Sequence, residues 1–216
     1  MSSAPSKQVI AELAPTGVLR AGINMSNFLL VTGKRANGDP DGVSPDMAEE
    51  IARRLGVPLK LVTFKSPGEL ADQAGKNVWD IGNIGAEPQR AQTIAFTAAY
   101  AEIESTYLVP AGSPIKAIAD VDKPGIKISV TGRSAYGLWL ENNIKHATLM
   151  RTDTLDSSLD QFVAQKMDVL AGLRPRLIED VKKLPGARIL DGQFSAVQQA
   201  VGTAKSNTAA AAASPR

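Results

Sequence analysis

Cysteine is absent from this 216-residue chain, and histidine occurs once, as His146. Without cysteine there is no disulfide, thiolate metal site or cysteine nucleophile, and the zero count fits either redox compartment. A single histidine argues against a histidine-based zinc site or a Ser-His-Asp triad. We therefore expect no metal, no cofactor and no catalytic set. An excess of one charge is lacking too. Lys+Arg 24 against Asp+Glu 22 leaves +2, too balanced to suggest nucleic acid or an acidic membrane surface. No stretch approaches the roughly 18 apolar residues of a membrane span. Residues 1–15 contain Lys7 and Glu12 and lack the apolar run of a secretory signal. What is present is ordinary for a globular protein: 44% hydrophobic and 21% charged residues, enough for one large or two small domains.

Residues 80–97, DIGNIGAEPQRAQTIAFT, are the most informative stretch. They read as a buried strand over 80–84, a tight loop at Gly85 and Ala86, and a helix start at Glu87-Pro88-Gln89-Arg90. Proline at the first helical position presets φ and gives up an N–H that has no partner there. A strand that feeds a helix through such a loop aims backbone N–H groups at one spot. That spot favours an anion, and Arg90 can add a charge-assisted contact. An ordinary βα turn with a solvated arginine is the competing reading.

Along the chain, 19–23 is a first apolar strand. Residues 37–42, NGDPDG, are dense turn chemistry. Ser44 is a candidate N-cap, with Pro45 first in the helix and Asp46 at its positive end. Met47, Ile51 and Leu55 recur at helical spacing, and Gly56 is a stop. Strand 59–64 follows, then Ser66-Pro67-Gly68-Glu69, a capping box. This is β-α-β-α-β, the unit of an open parallel sheet. The second half repeats it: strands at 126–130, 148–150, 168–171 and 187–190 alternate with helices. Two similar α/β halves, joined near residues 107–110, suggest two lobes with a cleft, and ligands of open α/β sheets sit at the carboxyl ends of strands.

Several segments resemble the family 3 solute-binding proteins, the polar amino acid receptors of ABC importers. Glu87-Pro88-Gln89-Arg90 followed by Phe96-Thr97 and Tyr100 is similar to the family's T-P-E-R helix start and F-[ST]-x-P-Y. Gly17-Val18-Leu19-Arg20-Ala21-Gly22 resembles G-x-L-R-V-G, and Gly42-Val43-Ser44-Pro45-Asp46-Met47-Ala48 resembles G-F-D-V-D-L-A. Val109-Pro110-Ala111-Gly112-Ser113-Pro114-Ile115 resembles the entry to the second lobe, and Thr131-Gly132-Arg133-Ser134-Ala135 a G-x-G-[ST]-[AT] helix start. The likeness runs over roughly residues 17–205, by the order and spacing of motifs rather than by any one of them. Three departures stand out. The loop after Ile84 is shorter than usual. Ala171-Gly172-Leu173-Arg174 lacks the acid that holds the ligand's ammonium in amino acid receptors. After Lys205 the family adds further helices that complete the first lobe, whereas here the sequence reads SNTAAAAASPR.

The resemblance implies a two-lobed α/β fold of the periplasmic-binding-protein type, with mixed sheets, helices on both faces, and first-lobe C-terminal helices missing. We expect an N-terminal extension over 1–16, lobe 1 over 17–107, lobe 2 over 108–191, a return segment over 192–205 and a disordered tail over 206–216. The implied function is capture of a small anionic or zwitterionic solute, with an ABC permease as partner, as a monomer. Candidate ligand contacts are Asn24, Phe28, Asn83, Gly85, Arg90, Arg133, Ser134 and Arg174. Localisation is periplasmic by resemblance, with the cytoplasm as alternative because residues 1–15 carry no export signal. Two other readings stay open. One is a dehydratase similar to cyclohexadienyl dehydratase, with Glu87 as acid, and the other is a cytoplasmic sensor or carrier.

Overall fold

The computed structural model describes residues 4–213. Its elements in chain order are α1 (Lys7–Leu13), β1 (Leu19–Asn24), β2 (Gly33–Lys34), β3 (Pro40–Asp41), α2 (Val43–Leu55), β4 (Leu59–Phe64), α3 (Pro67–Asp72), β5 (Ile81–Ala86), β6 (Ile94–Phe96), β7 (Ala101–Val109), β8 (Lys127–Thr131), α4 (Ala135–Asn143), β9 (Thr148–Thr152), α5 (Leu155–Ala164), β10 (Val169–Leu173), α6 (Arg174–Val181), β11 (Arg188–Ile189), β12 (Ser195–Ala204) and α7 (Thr208–Ala213). The chain forms two compact units. Unit 1 holds the chain up to Ala101 and again from Gln199, and unit 2 is Glu102–Gln198. The first passage comes earlier than the junction expected at 107–110.

In unit 1, β1 pairs in parallel with β4 on one side and β5 on the other, and β6 runs antiparallel to β12. Side chains alternate across the sheet. On one face Leu19, Ala21 and Ile81 pack with Ala48, Ala52 and Leu55 of α2 and Val9 of α1. On the other, Leu70 of α3 packs with Trp79, Ile84 and Ile94. That second contact needs glycine. A Cβ at Gly22 would lie 3.2 Å from Leu70 Cγ, and one at Gly82 2.9 Å from Leu70 Cδ2.

The start of α2 differs from the sequence expectation. Its N-cap is Gly42 at φ 132°, where a Cβ would meet the Leu30 carbonyl oxygen at 2.6 Å. Ser44 sits inside the first turn, buried, with its hydroxyl 3.3 Å from the Tyr100 phenol. Gly56 ends the helix in the left-handed region at φ 70°, as its composition predicts.

The tail expectation is corrected for residues 208–213, which form α7 against α1. Five alanines favour helix, and the Glu12 carboxylate accepts the N–H groups of Ala209 (3.3 Å) and Ala210 (2.8 Å) at its start. The expected N-terminal extension likewise contributes Val9 to the unit 1 core.

Asp80 knots unit 1 together. Its carboxylate accepts Arg20 N (2.8 Å), Nε (3.0 Å) and Nη2 (2.6 Å). Its own N–H donates to the Arg20 carbonyl, and its carbonyl accepts the Thr203 hydroxyl at 2.9 Å.

Unit 2 carries the parallel set β9–β8–β10, with β7 antiparallel to β10 and β11 antiparallel to β7. Tyr136 and Leu140 of α4 cover Ile128, Val130 and Val169. Leu159 and Phe162 of α5 and Leu177 of α6 cover Leu108 and Leu170. The chain between α4 and β9 is pinned by Asp122, whose carboxylate accepts the N–H groups of Ala147, His146 and Lys145.

Two outcomes follow. Asp80→Ala leaves the Arg20 guanidinium without its carboxylate and should cost about 3–5 kcal/mol in urea unfolding. A loss under 1 kcal/mol would show the knot to be dispensable. The hydrogen bonds at Asp122, Ala147 N–H first, hold its carboxyl below the usual range. A depressed folded pKa stabilises above the unfolded value of about 3.9 and ceases to do so as pH falls through the folded value. Asp122→Asn should therefore be less stable than the parent at neutral pH, with the gap closing in acid. A gap independent of pH would show the charge to be irrelevant.

Candidate functional site

In unit 1 the carboxyl ends of β1 and β5 lie side by side, with Ile23 in register with Asn83. After β1 the Asn24 amide oxygen accepts Ser26 N (3.1 Å) and Oγ (2.7 Å), so this candidate shapes its own turn. The Asn27 carbonyl then takes the N–H of Val31 at 2.9 Å, and Phe28 in that tight turn is 38% exposed. An aromatic presented beside strand ends can stack on a planar solute.

After β5 the chain makes a single 3-10 turn, Arg90–Gln92, in place of the expected helix. The Glu87 carboxylate accepts Gln89 N (3.0 Å) and Arg90 N (2.5 Å). Two residues after Gln92, β6 begins and pairs with β12, so the turn has no room to continue. With so short a helix, the anion preference expected of its dipole is small. Arg90 is 5% exposed and donates Nη1 to the Gly85 carbonyl at 2.8 Å. It braces the same loop that holds it, which preorganises the cation.

Asn83 is the anomaly of this region. It is 3% exposed, and neither its amide oxygen nor its nitrogen has a hydrogen-bond partner among the described residues. Buried polar atoms are almost always paired, and leaving them unpaired costs free energy.

In unit 2, Ser134 caps α4. Its hydroxyl accepts Gly137 N at 3.0 Å and donates to the Thr131 carbonyl at 2.7 Å, so both functions are engaged within the fold. Arg133 is exposed and stands in the left-handed region at φ 60°. Arg174, read from sequence as a loop residue, is the first residue of α6. It donates Nε to Glu104 and Nη2 to the Gly192 carbonyl, so an acid on β7 already balances its charge.

Sequence reasoning missed Glu104 and a buried hydroxyl cluster. Ser158 Oγ stands 2.8 Å from Thr131 Oγ1 and 2.6 Å from Thr152 Oγ1, while Ser129 donates to the Ser158 carbonyl at 2.8 Å. Only the repeated Ser and Thr on β8, β9 and α5 hinted at the cluster. Among the described residues no group of acidic and histidine side chains could hold a metal, and no helix is long and apolar enough to cross a membrane.

Comparison with known proteins gives this arrangement a class. The chain belongs to the bacterial extracellular solute-binding proteins, family 3, whose model matches residues 19–213. Among solved structures, holo ArgBP from T. maritima is similar at TM-score 0.74 and 21% identity, covering 94% of this chain and 89% of that one. A binding component of an ABC transporter from Wolinella succinogenes, complexed with lysine, is similar at 0.70 and 22%, covering 87% and 82%. The ancestral amino acid-binding protein AncCDT-1, a precursor of cyclohexadienyl dehydratase, follows at 0.73 and 19%, covering 94% and 89%. At these identities the likeness is one of fold. No curated protein matches.

Replacing the unpaired amide tests its status. Asn83→Leu, of similar size, should leave the solute-free protein as stable as the parent or more stable by up to about 1–3 kcal/mol. A clear loss of stability in urea unfolding would mean that the amide is a structural group.

Proposed function

We propose that this chain captures a small carboxylate-bearing solute of amino-acid size at the strand ends of unit 1. It would do so as the substrate-binding component of an ABC importer, acting outside the cytoplasmic membrane. The family match supports the class, and the buried, unpaired Asn83 amide, two residues before the Gly85 carbonyl that Arg90 holds, supports the placement. In this reading Arg90 attracts the carboxylate, Asn83 gives and takes one hydrogen bond each, and Phe28 lies against the solute's apolar part.

The anchored group is the carboxylate rather than an ammonium. Neighbours of this fold include proteins named for arginine or solved with lysine. At the strand ends of unit 1 the nearby acid, Glu87, already has its carboxylate on the N–H groups of Gln89 and Arg90. An ammonium desolvated without a partner is costly.

A second reading is elimination chemistry on a bound carboxylic acid, suggested by the dehydratase precursor among the neighbours. Glu87, the acid it needs, has its carboxylate on two backbone N–H groups, which favours the binder. Turnover of prephenate or arogenate would decide for the enzyme.

Calorimetric titration with a matched pair, an α-amino acid and its 2-hydroxy analogue at equal salt, is the test. The two should bind within about tenfold of each other, a gap under roughly 1.4 kcal/mol. Much tighter binding of the amino acid would reject the carboxylate-only anchor. Arg90→Ala should weaken the bound compound by about 1.5–3 kcal/mol, the scale of a charged hydrogen bond. Unchanged affinity in a folded variant would remove Arg90 from the site.

A further inference from the structure

Unit 1 contains a cavity of about 530 Å³ away from the strand-end site, walled by α1, α2 and α7 and floored by β5, β6 and β12. Val9, Leu13, Ile51, Leu55, Ile81 and Val201 give it an apolar lining. The cavity opens to solvent, and covering apolar surface that would otherwise face water is favourable. Most of the polar side chains in its lining bond within the protein. Thr97 donates to the Ala98 carbonyl (2.7 Å) and accepts Val201 N (3.2 Å). Thr203 donates to the Asp80 carbonyl (2.9 Å) and accepts Asn207 Nδ2 (2.8 Å). Ser6 accepts Val9 N at 3.2 Å.

Among the described lining residues one is charged, Arg54, and its side chain is 66% exposed, which places the cation at the mouth. Its Nε shares the Glu50 carboxylate with Arg53, each at 2.7 Å. Glu50 is thus shared between two cations, and the described lining itself carries Arg54 and no acid. An apolar bore with a cation at its mouth matches an anionic amphiphile, the tail inside and the head outside. The volume falls in the range of small-molecule sites.

We propose that unit 1 holds a second ligand site, for a straight-chain monocarboxylate of medium length, with its carboxylate on Arg54. This site is independent of the solute site proposed above. The probes are hexanoate, octanoate and decanoate, with decanol and a decyltrimethylammonium salt as head-group controls, titrated calorimetrically into the full chain. Affinity should be saturable and rise about fourfold per methylene, the ~0.8 kcal/mol of a buried CH₂. Decanoate should bind more tightly than decanol and far more tightly than the cation. Val9→Phe, which fills the bore, should lower decanoate affinity at least about tenfold. Arg54→Gln, a surface change that tests the head group even if Val9→Phe does not fold, should erase the preference for decanoate over decanol. Arg90→Ala should leave decanoate binding unchanged. No saturation, no dependence on chain length, or equal binding of the cationic amphiphile would overturn the proposal. So would loss of decanoate binding in Arg90→Ala with none in Val9→Phe, an outcome that places the fatty acid in the solute site and leaves that site's assignment standing.

Discussion

A carboxylate at the head of one strand sets the geometry on which unit 1 depends. Asp80 takes three N–H groups from Arg20, and its main chain bonds Arg20 and Thr203. Three strands far apart in sequence are thereby fixed at one end. Register then propagates: Ala21 meets Ile81, Gly22 meets Gly82 and Ile23 meets Asn83. A shift of one residue would turn every side chain of β5 to the other face. Asn83 would leave the strand ends, and Ile84 would leave its apolar cluster.

The same register brings two glycines together. Gly22 and Gly82 lie opposite each other, and Leu70 occupies the space that their side chains would need. Leu70 is fully buried there, and its carbonyl accepts the Trp79 indole N–H at 2.9 Å. This close approach seats α3 on the sheet face opposite α2. The sheet stays covered on both sides, which a parallel sheet requires.

Charge in unit 2 is largely internal. Arg174 is held by Glu104, and Arg176 bridges Asp180 at 2.9 Å and Asp156 at 2.6 Å. Burial pushes the Asp180 carboxyl above the usual range, with the Arg176 charge opposing the shift. Such pairs orient helices and contribute little net attraction for a solute. The buried Asn83 amide of unit 1 differs from these: neither of its polar atoms has a partner among the described residues.

The sequence by itself determined whatever is local. Hydrophobic spacing placed β1, β4 and α2, Gly56 ended α2, and Ser66 and Ser134 capped α3 and α4 within a residue of expectation. These follow from side chains acting on backbone within a turn or two. Motif order likewise made the α/β class and the family legible. Tertiary structure decided the rest. The strands β7 and β12 were readable only as connecting segments, because their partners are remote in sequence. An alanine-rich tail became α7 because Glu12, at the other end of the chain, caps it. The candidate residues parted for the same reason. Arg174 is neutralised by an acid 70 positions away, Ser134 is absorbed by its own helix, and Asn83 is left unpaired by everything folded around it. Whether a polar group is satisfied depends on what the fold brings to it, and no local pattern encodes that.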